Sequence, residues 1–414
     1  MNYFLYQFII LISIPFLLIY YLLKAIFFDK NYLHLIVFKL FPKLEINYLL
    51  FDYHFHAVSV GELYATTDLI NLLKTNNKIL ITTTTPSGQE QARKKFGNNE
   101  NITIKYLPYD FHFIIKPFLK VNASKKLILV ETEIWPSLIC CSKKNNTKIF
   151  LINARLSKKS FRKYFFFQKF TKKVLIKIDH ILCQSSDDQK RFICLGAKHI
   201  HITGNIKFDK ELYKADGSSN ITRNLNKKKS LIVTLGSLRG NEYKLFLDNS
   251  LFVDSADHII IAPRHLNNIN KIINKIKKIN FSYILLSSLN TYHVDCPKFI
   301  ICDLFGSLPF LYRISNISFI GGSFVNKGGQ NFVESIYSKC PTFIGPSIFN
   351  FQYFSKLAQS FGCLKIVNDV NEFNHYLTLL NANKMSLNKM KFNGIKFSKE
   401  IKGAIKNTLN IINR

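Results

Sequence analysis

Acidic residues are scarce in this 414-residue chain. It has 26 Asp and Glu against 57 Lys and Arg, which gives a formal net charge of +31 at pH 7. Such an excess suits an anionic partner, namely a nucleic acid, an anionic membrane surface or a phosphorylated substrate. The lysines are dispersed along the chain and the arginines are few, so we expect no nucleic-acid partner.

Closely spaced cysteines are also missing. The eight cysteines include no C-x-x-C pair, and no histidine lies at a zinc-finger interval, so no structural zinc site is expected. A chain of this length needs no disulfide framework, and we expect reduced thiols in a cytosolic compartment. The apolar fraction of 47% excludes general disorder.

Charge is absent from residues 4–23, FLYQFIILISIPFLLIYYLL. As a helix this run is about 30 Å long, which matches the core of a bilayer. A cleaved signal peptide fits poorly, because no Lys or Arg precedes the run and no small-x-small site follows it. Four lysines follow the run, at positions 24, 30, 39 and 43, and they predict that the bulk of the chain is cytoplasmic. We predict a membrane-spanning anchor, with a segment that only dips into the inner leaflet as the alternative.

Beyond this segment, short apolar runs alternate with helix-like stretches in two blocks. Strands separated by helical patterns at this spacing are typical of parallel, doubly wound sheets. The fold class is therefore α/β, with two Rossmann-like domains facing each other across a cleft. No tandem repeat of roughly 20 to 50 residues is visible, which excludes a solenoid.

The elements of each block can be assigned from the sequence. In the first block we predict strands at Phe51–Val58, Lys78–Thr83, Leu127–Val130, Ile149–Asn153 and His180–Cys183, and helices at Gly61–Lys74, Gly88–Phe96 and Trp135–Cys141. In the second block we predict strands at Leu231–Leu235, His258–Ile261, Ser282–Leu286, Phe299–Cys302, Ile317–Ile320 and Thr342–Ile344, and helices at Tyr243–Asp248, Leu266–Lys278 and Asn331–Ser338. The tail at 381–414 is rich in Lys and Asn and is predicted to be helical.

A polar, apolar-poor stretch separates the two blocks and is the best candidate for a linker. The predicted organisation is a membrane anchor at 1–28, an N-terminal domain at 29–206, a linker at 207–229 and a C-terminal domain at 230–414. In such sheets, ligands bind at the carboxyl ends of the strands.

Carboxylates follow two predicted strands of the first block. Glu62 comes after the strand and glycine turn HAVSVG, where it could act in catalysis or simply complement the dipole of the next helix. Glu131 and Glu133 follow the apolar strand LILV, and they could face the same crevice or cap the helix that Pro136 begins. Lys207 lies at the domain junction and could reach a phosphate or remain a solvated lysine.

The second block carries the features of a nucleotide site. Arg264 follows one apolar strand, and the segment 303–307, DLFGS, follows another. Glycine turns at 321–322 and 328–329 allow backbone N–H groups to approach a phosphate. Glu334, a few residues into the following helix, is placed to accept hydrogen bonds from a ribose diol.

Nine short stretches, in order from residue 56 to 351, resemble those of the Kdo (3-deoxy-D-manno-octulosonic acid) transferases of lipopolysaccharide assembly. They are HAVSVGE at 56–62, TTTTPSGQE at 82–90, YLPYD at 106–110, ETEIWP at 131–136, NARLS at 153–157, TGNIKFD at 203–209, PRH at 263–265, GGSFVNKGGQN at 321–331 and GPSIFNF at 345–351. The ordered set is highly specific, although no single stretch is. The resemblance implies a membrane-anchored glycosyltransferase with the two-domain GT-B fold.

The resemblance also implies roles for particular residues. Glu62 would be the proton acceptor in a metal-independent inverting transfer, and Glu131 and Lys207 would stabilise the transition state. The donor would be CMP-Kdo and the acceptor a lipid A precursor (lipid IVA), at the anionic leaflet of the inner membrane. No cofactor is implied. The CMP would be held by Pro263, Arg264, Phe305, Gly306, Ser307, Asn331, Phe332, Val333 and Glu334.

Three positions depart from the family pattern. Leu238 and Gln330 stand where the family usually has His, and Ser307 stands where it usually has Glu. Two other interpretations compete with the family assignment. One is a GT-B glycosyltransferase that uses another nucleotide sugar and another membrane acceptor, and the other is a basic, membrane-tethered protein that binds nucleic acid.

Overall fold

The computed structural model describes residues 2–27, 29–42, 49–209, 230–290 and 297–414. These residues form two compact units. The first unit comprises the described residues up to 209 together with 403–414, and the second comprises those from 230 to 402. Each unit is built around one parallel sheet flanked by helices.

Within the described part of the first unit, seven parallel strands form a sheet in the order β3-β2-β1-β4-β5-β6-β7. Their bounds are β1 (Leu49–His56), β2 (Ile79–Thr83), β3 (Ile102–Tyr106), β4 (Asn122–Val130), β5 (Lys148–Ala154), β6 (His180–Cys183) and β7 (Ile200–Ile202). The helices are α1 (Tyr3–Phe27), α2 (Asn31–Leu40), α3 (Val60–Leu73), α4 (Pro86–Phe96), α5 (His112–Val121), α6 (Pro136–Lys144), α7 (Lys158–Phe166), α8 (Gln168–Leu175) and α9 (Ser186–Cys194), and a 3-10 turn follows at Ile206–Phe208.

The described part of the second unit contains a second seven-stranded parallel sheet, in the order β10-β11-β9-β8-β12-β13-β14. Its strands are β8 (Ile232–Leu238), β9 (His258–Pro263), β10 (Tyr283–Leu285), β11 (Phe299–Ile301), β12 (Ile317–Ile320), β13 (Thr342–Ile344) and β14 (Leu364–Ile366). Its helices are α10 (Glu242–Leu247), α11 (Ser250–Ser255), α12 (Ile269–Lys278), α13 (Leu308–Ile314), α14 (Val333–Tyr337), α15 (Gln352–Ser360), α16 (Val370–Ala382) and α17 (Lys384–Glu400), with 3-10 turns at Leu266–Asn268 and Leu286–Asn290.

The predicted α/β class with two Rossmann-like sheets is confirmed, and all eleven predicted strands are present with shifts of a few residues at their ends. The central strands are largely buried on both faces, as expected for a parallel sheet with helices on both sides. Residues 127–130 at the end of β4, for example, are fully buried. Strands β3, β7 and β14 were not predicted.

The last twelve residues belong to a different unit from the one predicted, since the prediction assigned all of 230–414 to the C-terminal domain. Helix α18 (Ala404–Ile412) belongs to the first unit, because Ala404 and Ile412 are buried in the core on one face of its sheet. Asp209 accepts hydrogen bonds from the backbone N–H groups of Gly403 at 2.7 Å and Ile405 at 2.5 Å, which caps this helix. The rest of the predicted linker, from residue 210, lies outside the described residues.

Helix α1 holds the predicted anchor segment. Among the described residues it is the one helix that is long and apolar enough to cross a membrane. Together with α2 it forms a small apolar cluster around Tyr21, Leu35 and Ile36. One N-terminal apolar helix is therefore available as a membrane anchor.

Candidate active site

The carboxyl ends of β1 and β4 meet at the centre of the first sheet. The strand order reverses here, since β1 continues to β2 on one side and pairs with β4 on the other. Such a switch point leaves a crevice between the two outgoing loops, which is where open α/β sheets bind ligands. The loop after β1 carries Glu62, and the loop after β4 carries Glu131 and Glu133.

Glu62 is held in the first turn of α3 by a reciprocal cap. Ser59 caps the helix, its hydroxyl donates to Glu62 Oε1 at 2.9 Å, and the Val58 N–H donates to Glu62 Oε2 at 2.7 Å. The side chain is only 9% exposed. Burial raises the pKa of Glu62 above its ordinary value, so its carboxylate is a stronger proton acceptor than an exposed glutamate.

Glu131 and Lys207 form an ion pair of 2.5 Å across 76 residues of sequence. Glu131 leaves β4 with a left-handed backbone, at a φ of 60°, and its N–H still donates to the Ile152 carbonyl of β5 at 2.9 Å. Lys207 lies in the 3-10 turn, which the side chain of Asn205 caps at 3.0 Å. Glu131 raises the pKa of Glu62 and Lys207 lowers it, so the three charged groups form one cluster.

Glu133 is the functional candidate that sequence reasoning undervalued. Trp135 Nε1 donates to Glu133 Oε2 at 2.7 Å, and the Trp135 ring meets His56 edge-on at 5.7 Å between centroids. Burial, followed by the charge of Glu62, raises the pKa of Glu133 to about 7. Burial lowers the pKa of His56 to about 3, so this ring is neutral at pH 7.

Neither Glu131 nor Glu133 caps the helix that follows them. Asp110, from the loop after β3, accepts the backbone N–H groups of Ser137 at 2.9 Å and Leu138 at 2.8 Å at the start of α6. Glu131 and Glu133 are therefore not needed as helix caps and remain candidates for a role in the crevice. The cap could not be identified from sequence, because Asp110 lies 27 residues upstream of Ser137.

The first glycine turn of the second unit is organised by Glu242. This carboxylate is 1% exposed, and it accepts the N–H groups of Gly322 at 2.6 Å, Ser323 at 3.2 Å and Phe324 at 3.0 Å. These N–H groups were expected to approach a phosphate, and they are instead occupied by a protein carboxylate. The sequence analysis did not identify Glu242, which fixes the conformation of this turn.

Arg264 and Phe305 come together at the carboxyl edge of the second sheet. Together with His265, Leu266 and Asn267 they line an open cavity of about 360 Å³. The Arg264 N–H donates to the Leu238 carbonyl at 2.9 Å, so Leu238 fixes the course of the Arg264 segment. Gly306, beside Phe305, has a φ of 82° and open space around it.

The run from Asn331 to Glu334 presents a mixture of core and polar groups. Phe332 and Val333 are each 1% exposed, so both belong to the core of the second unit. Asn331 Nδ2 donates to Glu334 Oε1 at 3.0 Å. Pro263 ends β9, and Ser307 is the N-cap of α13.

Comparison with known proteins identifies the family. A family model described as 3-deoxy-D-manno-octulosonic-acid transferase (kdotransferase) matches residues 39–210. The 3-deoxy-D-manno-octulosonic acid transferase of Haemophilus influenzae is 30% identical over 370 residues, which cover 86% of this chain and 85% of that protein. The chain belongs to the 3-deoxy-D-manno-octulosonic acid (Kdo) transferase family. It is therefore an enzyme of the glycosyltransferase class.

Two further likenesses extend the family assignment. A bifunctional glycosyltransferase/methyltransferase of Fusobacterium nucleatum is 34% identical over 298 residues, which cover 70% of this Kdo transferase family member but only 46% of that relative. A glycosyltransferase from Rickettsia africae has a similar structure, with a TM-score of 0.59 at 13% identity over 89% of this chain and 98% of that one. The structural likeness shows the fold alone.

Proposed function

We propose that this family member transfers Kdo from CMP-Kdo to a lipid A precursor in lipopolysaccharide biosynthesis. The observation that carries the proposal is the cluster of the buried Glu62 with the partly exposed ion pair of Glu131 and Lys207, at the switch point of the first sheet. The names of the Kdo transferase relatives support Kdo as the sugar that is transferred. We further propose that the enzyme is held by α1 at the inner membrane, on its cytoplasmic side.

Glu62 is the proposed general base. It removes the proton of the acceptor sugar hydroxyl as the hydroxyl oxygen bonds to the ketosidic carbon of Kdo, and the bond from that carbon to the CMP phosphate oxygen breaks. Attack from the face opposite the phosphate inverts the configuration. The raised pKa of Glu62 supports this role, because a group that ionises nearer to neutral pH takes up the proton more readily.

Glu131 and Lys207 are the proposed stabilisers of the transition state. The displacement passes through an oxocarbenium-like state with positive charge on the sugar and negative charge on the phosphate. The Lys207 side chain is 38% exposed although it is paired with Glu131, so its ammonium can serve a ligand while the carboxylate fixes its direction. Fixed charges of this kind act without reorganisation during the reaction.

CMP is proposed to bind at the carboxyl edge of the second sheet. Arg264 supplies a positive charge beside the cavity that it shares with Phe305, and no metal is required in this scheme. Because Glu242 already holds the N–H groups of the first glycine turn, phosphate binding falls to Arg264 and the backbone around Gly306 and Ser307. The segment from Asn331 to Glu334 completes the proposed site.

The test is a transfer assay in detergent with CMP-Kdo and a tetraacylated, bisphosphorylated lipid A precursor. Mass spectrometry of the acceptor is expected to show a gain of one or more Kdo units with the wild type. We expect Glu62→Gln to reduce the rate at least a hundredfold, because it removes the base while retaining the size of the side chain. Glu90→Gln, an exposed glutamate on α4, is the matched control and should retain full activity.

Two other results would redirect the proposal. Full activity in Glu62→Gln would exclude Glu62 as the base. Binding of CMP without any gain in acceptor mass would point to a GT-B enzyme with another donor sugar or acceptor, and calorimetric titration with CMP and UDP would identify the nucleotide.

A further inference from the structure

Helix α1 is attached to the first unit along nearly its whole length. Its partly buried residues recur every three or four positions from Tyr3 to Ala25, which is the spacing of one helical face. Tyr3 pairs with His112 at 3.2 Å near one end, and Tyr21 accepts from Lys39 at 3.0 Å near the other. At about 1.5 Å per residue these two contacts are about 27 Å apart along the axis.

The contacts between these two points are polar and specific. The Tyr6 hydroxyl donates to Asp110 at 2.7 Å, and Gln7 both donates to the Ser137 hydroxyl and accepts the His112 N–H, each at 2.8 Å. Ser13 pairs with the Tyr109 hydroxyl at 2.5 Å. A helix that crossed the bilayer would carry these partners into the hydrocarbon, where a carboxylate such as Asp110 is strongly disfavoured.

The opposite face of α1 is apolar and exposed. Phe4, Phe16 and Phe27 are between 70% and 84% exposed, and no charged side chain lies between Phe4 and Leu23. The helix is 25 residues long, so this face extends for about 37 Å. An exposed apolar surface of this size requires contact with an apolar medium, and only on the outer face of the helix, because the inner face packs on the first unit.

A second exposed patch lies close to α1 on the surface of the first unit. Tyr6 of α1 stacks on Phe170 of α8 at 5.5 Å, and Phe165, Phe166 and Phe167 are exposed where α7 meets α8. Residues 134–178 contain no Asp or Glu, whereas α7 and α8 are rich in lysine. Aromatic side chains beside cations are typical of a protein surface at an anionic headgroup layer.

These contacts also locate the membrane relative to the first sheet. Tyr109, Asp110 and His112 follow β3, and Ser137 follows β4 by way of the segment that carries Glu131 and Glu133. Since the carboxyl ends of parallel strands lie at one edge of a sheet, α1 is bound at the same edge of the unit as Glu62. A bilayer on the outer face of α1 would therefore lie beside the candidate active site.

We propose that α1 lies in the plane of the membrane and does not cross it, with its outer face in the acyl chains and the Phe165–Phe167 patch among anionic headgroups. The proposal rests on the proposed function only for the identity of the membrane. Of the two expectations from the sequence, it favours the segment that dips into one leaflet over the spanning anchor. The acceptor headgroup then reaches Glu62 from the leaflet in which α1 lies.

The orientation can be tested on the full chain with an N-terminal and a C-terminal epitope tag. Right-side-out and inverted inner-membrane vesicles are treated with protease, with and without detergent. An in-plane α1 predicts that both tags are cut in the same vesicle preparation. Cleavage of the two tags in opposite preparations would show that α1 crosses the membrane and would overturn the proposal.

The depth of α1 provides a second, independent readout. Phe4→Trp, Phe16→Trp and Phe27→Trp are each reconstituted in vesicles of brominated phosphatidylcholine with phosphatidylglycerol, and the wild-type emission of Trp135 is subtracted. An in-plane helix predicts one shallow depth for all three positions, with Leu72→Trp, at an exposed position near the end of α3 in the same unit, as the unquenched baseline. A distinctly deeper Phe16→Trp would contradict the proposal. Neither readout depends on Kdo transfer, so the in-plane proposal can fail while the proposed function holds.

Discussion

Glu133 shows how burial changes the chemistry of a single side chain. Burial, followed by the nearby charge of Glu62, raises its pKa to about 7, although the hydrogen bond from the Trp135 N–H acts in the opposite direction. It can therefore carry a proton near neutral pH. A carboxyl group that keeps its proton near pH 7 is able to donate that proton as a general acid.

Replacing Glu133 is expected to change how stability depends on pH. Its pKa in the folded chain, about 7, lies above the ordinary 4.5, so the folded state binds more protons between these values. The resulting stabilisation is complete below pH 4.5 and lost as the pH rises through 7, by roughly 3 kcal/mol in all. Denaturant titrations from pH 4 to 8 should show this loss in the wild type and a smaller one in Glu133→Gln.

The matched control is Glu100→Gln, since Glu100 is exposed on the same unit. This variant should reproduce the slope of the wild type. A Glu133→Gln slope equal to that of the wild type would mean that folding does not raise the pKa of Glu133.

At the scale of elements, the cap of α18 is the contact with the clearest consequence. Asp209 serves two backbone N–H groups at the start of this helix. Asp209 directly follows the 3-10 turn that carries Lys207, so the cap also connects this turn to α18. A loss of the cap should therefore be felt at both elements.

Asp209→Ala is expected to loosen α18 by about 1 kcal/mol, the usual effect of removing a carboxylate cap. Hydrogen–deuterium exchange should accelerate several-fold across Gly403–Arg414. Asp369→Ala removes a comparable cap from α16, where Asp369 accepts the Glu372 N–H at 2.8 Å, and it should affect α16 alone. Unchanged exchange in α18 of Asp209→Ala would indicate that packing alone holds this helix.

The alternation of apolar runs predicted most of the elements but not their partners. Strand β3 was missed because ITIKY alternates apolar and polar residues instead of forming the continuous apolar run that marks the other strands. Lys207 and Glu131 were both identified, yet their ion pair joins segments 76 residues apart, a distance that no local pattern encodes. The protonation of Glu133 likewise depends on Glu62, Trp135 and the burial they share.

At the scale of the whole molecule, the chain leaves the first unit and returns to it. The described residues up to 209 and the segment 403–414 form one unit, and everything described from 230 to 402 forms the other. Ile412 is fully buried in the core that contains Phe55 and Leu69. The first unit is therefore incomplete without residues that follow the second.

A chain ending at Lys402 is expected to unfold in its first unit at a lower temperature than the full chain. Loss of α18 uncovers a core surface worth several kcal/mol, which corresponds to a fall in Tm of about 10 °C or more. Limited proteolysis during heating, followed by mass spectrometry, distinguishes the two units. The second unit should be unaffected in the truncated chain, and an equal Tm for both first units would contradict this expectation.

The return of α18 also orders events during synthesis. Gly403 emerges 194 residues after Asp209, and at roughly 5 to 20 residues per second this delay is about 10 to 40 s. During that time the second unit is translated, and the core site that Ile412 fills in the first unit is still empty. The unit that leaves the ribosome first is thus the unit that finishes folding last.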